Sequence, residues 1–476
     1  MKFCSLTLGC KVNQYETQGI GSILASRGHV QAEPGEGCDV CIINTCAVTG
    51  ESVRKSRQAI SRLKRQEPGA LIAVCGCLSQ LDPSAAASLG ADLIGGSGDR
   101  RGFALEIEKL YSSAQAQSVT GADGRADRRA DGRIDGQTDE RIDGQADGRV
   151  NEQTEVQADE QLIERPNDSV FEELPPGTAA GRTRALLKIQ DGCDNYCTYC
   201  VIPYARGRAR SLPIERVADQ AMRLDEQGFR EIVVTGIEIS SYGKDLEGNP
   251  SLIDAIETIG RAAPHTRLRI GSLEPGVVTE AFCYALSGIR NICNHFHLSL
   301  QSGSDETLRR MGRRYDTAAV SAAISLLRRS FPDCGITADL IVGFPGETDA
   351  EFEQTLRFIK AAAFSNMHIF PFSPRSGTRA FDMPDQVIKG IKRERARLAA
   401  AQAAEAAKKF RRSQIGKTVE VLFERKRGAF WIGHSGNYIE VAVRDEVAKN
   451  SMHEVQITGV EEGITMGRVS APRTPA

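Results

Sequence analysis

The segment Asp191-Gly-Cys193-Asp-Asn-Tyr-Cys197-Thr-Tyr-Cys200 places three cysteines within eight residues, directly after an apolar run, Ala185 to Ile189, that reads as a strand. Three thiolates from one loop can hold three corners of a cubic iron-sulfur cluster and leave the fourth iron open, whereas four cysteines would close it. An open iron implies chemistry rather than storage. Zinc is the rival reading. It tolerates the first spacing, but a structural zinc takes four protein ligands, and no fourth Cys or His lies near in the sequence. Downstream, strand-like runs at Glu231 to Thr235, Arg267 to Ile270, His295 to Leu300, Ala338 to Val342 and Met367 to Phe370 complete six βα units. They predict an α/β fold built as an open or partial (β/α)6 barrel. An uninterrupted Ala, Glu, Lys and Arg pattern from Lys389 to Arg412 predicts a helix that closes this region.

Upstream, apolar runs at Phe3 to Leu8, Val40 to Asn44, Leu71 to Val74 and Asp92 to Ile94 alternate with helix-length segments such as Glu51 to Gln66, the pattern of a parallel α/β domain. Cys10, Cys46 and Cys77 each fall just past a strand. In a parallel sheet those carboxyl ends share one edge, so cysteines far apart in sequence can converge on it as a second three-thiolate set. Cys75, two residues before Cys77, belongs on the strand and points inward. The remaining cysteines, Cys4, Cys38, Cys41, Cys283, Cys293 and Cys334, read as small core residues. Beyond the long helix, Gly416 to Val469 alternates short β-like runs with glycines and reads as a small β-barrel.

The chain has 476 residues with 41% hydrophobic and 26% charged side chains, the composition of an ordinary globular protein of several domains. No apolar run approaches the roughly 18 to 20 residues of a membrane span, and MKFCSLTLGC lacks the regions of a signal peptide, so a cytoplasmic protein with no membrane partner is expected. Thirteen cysteines in a reducing compartment point to metal or redox chemistry rather than disulfides. The net charge of -2 hides an acidic stretch: residues 112 to 180 hold 16 Asp and Glu against 7 Lys and Arg, and the remainder carries +7, which favours a polyanionic partner. Within that stretch Asp recurs at 123, 127, 131, 135, 139, 143 and 147 with almost no large apolar side chains, which predicts a disordered linker between domains at 1–111 and 181–412. A solenoid would need an apolar core position in every repeat.

These motifs together resemble the methylthiotransferases of the radical S-adenosylmethionine superfamily. The resemblance spans everything but the linker: a domain with three separated cysteines, a radical domain with the C-x3-C-x2-C loop, and a C-terminal TRAM-type barrel at 413–476. Thr7-Leu-Gly-Cys-Lys-Val-Asn-Gln-Tyr-Glu-Thr17 is most similar to the subgroup that acts on N6-threonylcarbamoyladenosine at tRNA position 37. The isopentenyladenosine and ribosomal-protein subgroups carry other residues after that cysteine.

The resemblance implies two [4Fe-4S] clusters, an auxiliary one on Cys10, Cys46 and Cys77 and a radical one on Cys193, Cys197 and Cys200, whose open iron binds S-adenosylmethionine. It also implies transfer of a methylthio group to adenine C2, with tRNA, a sulfur donor and a reductant such as flavodoxin or ferredoxin as partners. A non-catalytic metal-containing RNA-binding protein is the rival from another class.

Secondary motifs lie at later strand ends. Thr235-Gly236, Gln301-Ser302-Gly303, Gly343 with Gly346, and Phe370 to Gly377 stand where a barrel builds its site, and the first three sets are expected to bind S-adenosylmethionine. Gly and Pro are equally an ordinary way to end a strand. Arg206, Arg208 and Arg210 follow the cluster loop, and Arg206 and Arg208 are expected RNA contacts; a solvated basic loop is the alternative. Arg425, Lys426 and Arg427 precede Phe430 and Trp431, the pairing of charge and aromatic faces that single-stranded RNA binding uses; a buried aromatic of the barrel core is the alternative.

Overall fold

The computed structural model describes residues 1–122, 170–177 and 183–470. The N-terminal unit runs β1 (Lys2–Thr7), α1 (Lys11–Ser26), β2 (Val30–Gln31), β3 (Val40–Thr45), α2 (Gly50–Gln66), β4 (Leu71–Gly76), α3 (Cys77–Leu81), α4 (Pro83–Ala87), β5 (Leu93–Ile94) and α5 (Arg100–Ala122). Its strands form one parallel sheet in the order β2-β1-β3-β4-β5. The middle strand β3 is buried along its whole length because both faces are covered, as a parallel sheet requires. Alternate residues serve opposite faces: Phe3, Val40, Ile42 and Cys75 pack with Tyr15, Leu24 and Phe103 of α1 and α5. On the other face Cys4, Cys41, Ile43 and Val74 pack with Ile60 and Leu63 of α2. Cys75 thus points into the core and Cys77 opens the next helix, as the intervening glycine leads one to expect. Cys38, Cys283, Cys293 and Cys334 are buried as well.

The linker expectation is corrected at both ends. From residue 112 the chain is still helical as far as Ala122. At the other end residues 170–177 lie as a strap on the N-terminal unit: Leu174 is buried in the α1 and α5 core, and the Tyr15 hydroxyl donates to Leu174 O at 3.0 Å. The strap packs Phe171 and Leu174 against the two cores, and this burial offsets the entropy of its ordering. The repeat itself, Asp123 to Asp147, lies outside the described residues.

The central unit contains β6 (Arg184–Lys188), β7 (Gln190–Asp191), β8 (Arg210–Ser211), β9 (Glu231–Thr235), β10 (Arg267–Ile270), β11 (Ser272–Leu273), β12 (His295–Gln301), β13 (Gly335–Val342) and β14 (Asn366–Pro371). Its helices are α6 (Ile202–Arg206), α7 (Ile214–Glu226), α8 (Leu252–Ala262), α9 (Glu280–Ser287), α10 (Asp305–Arg310), α11 (Thr317–Ser330), α12 (Asp349–Ala362) and α13 (Lys389–Arg412). β10-β9-β6 and β11-β12-β13-β14 are two parallel sheets, and a Leu268–Ile292 bridge lies at their junction. The result is a partial barrel whose strand carboxyl ends share one mouth.

The chain ends in a closed barrel of β15 (Thr418–Arg427), β16 (Phe430–Ser435), β17 (Glu440–Val443), β18 (Met452–Glu461) and β19 (Ile464–Val469). It docks at the opposite end from the mouth, on the first residues of the central strands. Arg267 and Arg269 share the buried Glu231 and donate to the carbonyls of His434 and Gly436 at 2.8 and 2.9 Å. Tyr438 stacks on His295 with ring centroids 4.6 Å apart. Leu174→Ala is expected to cost about 2–5 kcal/mol through the cavity it opens under the strap, read as a lower thermal midpoint; an unchanged midpoint would show that the strap contributes nothing.

Candidate active site between two cysteine sets

The loops after β1, β3 and β4 bring Cys10, Cys46 and Cys77 to one edge of the N-terminal sheet. Two glycines make this possible. Gly9 has φ +113°, and a Cβ there would lie 2.9 Å from Cys46 Cβ and 3.2 Å from Cys46 Sγ, so glycine lets the first loop press against the second. Gly76 has φ +110°, and its Cβ would meet Thr45 O at 2.4 Å. Asn13 ties the loops together, its Nδ2 donating to Leu8 O, Asn44 Oδ1 and Thr45 O at 3.1, 3.1 and 3.0 Å. Cys10 Sγ lies 3.4 Å from Asn13 Oδ1.

The second set sits at the mouth of the partial barrel. Gly192, at φ +68°, leaves room for Arg208 O, which a Cβ would strike at 1.8 Å. The Cys193 N–H donates to Gly207 O at 3.1 Å, and the Cys200 N–H to Cys197 O at 3.0 Å. Burial pushes the thiols of Cys193 and Cys200 up to about 12. Arg313, on the loop after α10, brings Nη1 to 3.2 Å from Cys197 Sγ while its other nitrogens bond Glu274 at 2.6 Å and Tyr315 OH at 2.9 Å.

The two sets face each other. Ala47, Cys77 and Leu78 pack directly on Val201 and Ala205, the residues that follow Cys200, and the Cys200 thiol feels the charge of Cys77. Beneath this contact lies a buried charge cluster. Arg206 Nη1 donates to Glu16 Oε1 at 2.7 Å and Asp191 Oδ1 at 3.1 Å, and Nη2 to Asn13 Oδ1 at 2.8 Å. Arg100 reaches Glu16 at 3.0 Å, and Lys188 and Arg210 reach Asp191 at 2.9 and 3.4 Å. Burial works against the Glu16 carboxylate, but Arg100, Arg206 and Lys188 hold it down at about 2. Asp191 is likewise buried and held below the usual carboxylate range by Lys188, Arg206 and Arg210.

Four buried cations surround two fully buried carboxylates, with Glu172 at the margin near Arg100. The surplus is positive, and it points at the thiols: burial raises Cys46 and Cys77, while the charge of Arg206 pulls both down. Among the described residues no three Cys, His, Asp or Glu side chains close around a single metal ion. The fit to polynuclear clusters rests instead on the donors: two sets of three thiols, each beside a guanidinium that suits an anionic cluster.

Arg206 was expected at the RNA and is corrected. Its side chain is fully buried, because the adjoining helix turn aims it at Glu16 rather than outward. Arg208 stays exposed, 3.8 Å from Asp194. Arg425 and Lys426 are exposed but paired, at 2.7 Å to Glu440 and 2.5 Å to Glu446; Arg427 is exposed. Trp431 is half-buried, its Nε1 donating to Glu446 at 3.0 Å.

Among the expected cofactor contacts, Thr235 ends β9 and Gly236 follows it, and Gln301 ends β12 and Ser302 follows it. Gly303 and Gly343 serve packing instead: a Cβ would lie 2.8 Å from Thr355 Cα of α12 and 2.5 Å from Lys392 of α13. Gly346 has φ +71° and faces Arg310. Sequence reasoning missed Glu16, Asn13, Glu238, Glu274 and Arg313. Glu238 stands two residues past Gly236; burial and the neighbouring Glu274 raise its carboxyl. Glu274 and Arg313 come from separate loops with no local motif to mark them.

A family model described as the radical SAM superfamily matches residues 187–359, and one described as uncharacterized protein family UPF0004 matches residues 2–95. The chain is 35% identical over 446 residues to the threonylcarbamoyladenosine tRNA methylthiotransferase MtaB of Bacillus subtilis (strain 168), covering 92% of this chain and 89% of that protein. This chain belongs to the threonylcarbamoyladenosine tRNA methylthiotransferase family. Its similarity to the MtaB protein of Thermotoga maritima is 33% over 466 residues, covering 96% and 95% of the two. With a tRNA-2-methylthio-N(6)-dimethylallyladenosine synthase of Pelotomaculum thermopropionicum it shares 29% over 465 residues, covering 96% and 95%. In fold it is similar to the radical S-adenosylmethionine methyltransferase TsrM of Kitasatospora setae, with TM-score 0.52 and 13% identity over 80% of this chain and 77% of that one.

In this family member the buried cluster is expected to hold the two units together. Arg206→Gln leaves Glu16 and Asp191 short of a cation and is expected to cost roughly 3–5 kcal/mol, measured by chemical denaturation; a loss below 1 kcal/mol would refute the arrangement. Because the Glu16 carboxyl is depressed to about 2, its stabilisation is present above the ordinary carboxylate range and is lost as pH falls from about 4 toward 2. Acid titration should show a smaller loss over this range in Glu16→Gln than in the wild type, the remainder belonging to Asp191 and the other depressed carboxylates.

Proposed function

We infer that this chain transfers a methylthio group to C2 of N6-threonylcarbamoyladenosine at position 37 of tRNA, giving the 2-methylthio nucleoside. The observation that carries the reading is the packing of the two cysteine-bearing loops on each other through Ala47, Leu78, Val201 and Ala205, which makes the two three-thiol sets neighbours that one adenine would meet together. Cys193, Cys197 and Cys200 would hold the radical cluster and Cys10, Cys46 and Cys77 the auxiliary one. When bound, the clusters and S-adenosylmethionine supply the electron, the carbon radical that activates C2, and the sulfur and methyl group transferred.

The chain's own residues bind and orient. Glu238 and Glu274, beside Cys193 and Asn195, offer negative charge to the amino group of S-adenosylmethionine. Thr235, Gly236, Gln301 and Ser302 line the strand ends around it. Arg313 balances the thiolate of Cys197, and Arg206 that of Cys77. Val201 and Ala205 make the seam between the sets apolar and keep water from it. Arg208 and Arg427, both exposed, and Arg425 and Lys426, once freed from their carboxylates, would contact RNA phosphates. No described helix is long and apolar enough to cross a membrane; a cytoplasmic site of action, a flavodoxin or ferredoxin reductant and a separate sulfur donor complete the reading.

Nucleoside mass spectrometry of tRNA from cells with and without the gene tests the reaction. Loss of 2-methylthio-N6-threonylcarbamoyladenosine is expected; loss of the isopentenyl counterpart instead would reassign the substrate, and no change in either would reject the tRNA reading. In the purified protein, Cys193→Ala should abolish product while lowering bound iron from about eight to about four per chain. Iron analysis after anaerobic reconstitution checks this, and a zinc-loaded, iron-free chain would exclude the radical reaction.

A further inference from the structure

Most arginines drawn into this molecule are paired. Arg206, Arg269, Arg310, Arg313 and Arg395 each reach a carboxylate within 3.0 Å. Two half-buried arginines break the pattern: Arg411, at the end of α13 beside the C-terminal barrel, and, at the mouth, Arg375. The Nε of Arg375 is shut off from solvent without a partner, and among the described residues no carboxylate or carbonyl accepts from its guanidinium. The charged group it feels is the Cys46 thiol. A cation taken partly out of water without a counterion is costly, so a site that holds one ready is built for an anion.

Its position says which anion. Arg375 lies on the loop after β14, at the barrel mouth. Two residues earlier Ser373 Oγ accepts from the Gly50 N–H at 3.0 Å, four residues past Cys46; four residues later Arg379 Nη2 donates to Tyr196 O at 3.1 Å, inside the radical loop. The loop therefore spans both cysteine sets. Its turn is pinned by Thr378, whose Oγ1 and N–H donate to Arg375 O at 2.7 and 3.2 Å. The backbone of Arg375 is thus held between the two sets, and the planar fork of its guanidinium matches two oxygens of a carboxylate or phosphate.

We propose that Arg375 binds an anionic group of the target nucleotide, either the carboxylate of its threonylcarbamoyl arm or the adjoining backbone phosphate. This rests on the tRNA reading above. The test uses the full, iron-loaded chain and anticodon stem-loops bearing threonylcarbamoyladenosine, its threonine carboxamide analogue, or plain adenosine, with affinity read by fluorescence anisotropy.

Arg375→Gln should weaken binding of the first stem-loop at least tenfold, and Arg375→Lys less, since charge is kept and the fork lost. A loss confined to the carboxylate-bearing loop assigns the arm; an equal loss on all three, with a salt dependence shallower by about one ion, assigns the phosphate. Wild-type affinity for all three in a folded, loaded Gln variant would overturn the proposal, whether that variant shows an altered auxiliary-cluster resonance, weaker S-adenosylmethionine binding or no change. If the unsubstituted chain binds none of the stem-loops, the tRNA reading itself fails, and the proposal with it.

Discussion

The structure depends on a buried knot of charge at the seam between two units. Glu16 comes from the helix that starts at Cys10, Arg100 from the last helix of the N-terminal unit, and Arg206 from the turn that follows Cys200. Neither unit satisfies these groups alone. Separated, Glu16 would keep Arg100 but lose Arg206, and Arg206 would keep only Asp191. Desolvating such groups is affordable only where geometry pairs them closely, so the charges specify one docking of the units rather than merely strengthening it.

That docking sets the distance between the chemistries. The Arg206-Gly207 segment acts at both sites at once: Gly207 O anchors the Cys193 amide, and the Arg206 guanidinium sits under Cys77. The excess of cations over carboxylates makes physical sense only with an anionic neighbour, and the three thiols of the N-terminal edge would provide it when a bound cluster holds them as thiolates. The C-terminal barrel plays no part in this seam. It plugs the other end of the central sheets through Glu231, Arg267, Arg269 and Tyr438.

Much of this was legible in the chain. The strand and helix alternation, the long helix Lys389–Arg412 and the closing β segment followed from periodicity because each buries a regular face. The strap at residues 170–177 did not, since a short irregular segment is ordered only by what it lies on. Gly303 and Gly343 looked like ligand-facing glycines, yet their missing Cβ atoms make way for helices; a glycine in sequence does not say which neighbour needs the room.

What the sequence by itself determined is the identity of the donors: Cys193, Cys197 and Cys200 are close because eight residues cannot separate them, and Cys10, Cys46 and Cys77 meet because parallel strands end on one edge. Only the tertiary structure decided what surrounds them. Arg206 could not be told from its exposed neighbour Arg208 by spacing, because the difference is whether a carboxylate from another unit waits opposite. Arg313, Glu274 and the unpaired Arg375 took their meaning the same way, from charges that approach through space and leave no period or motif along the chain.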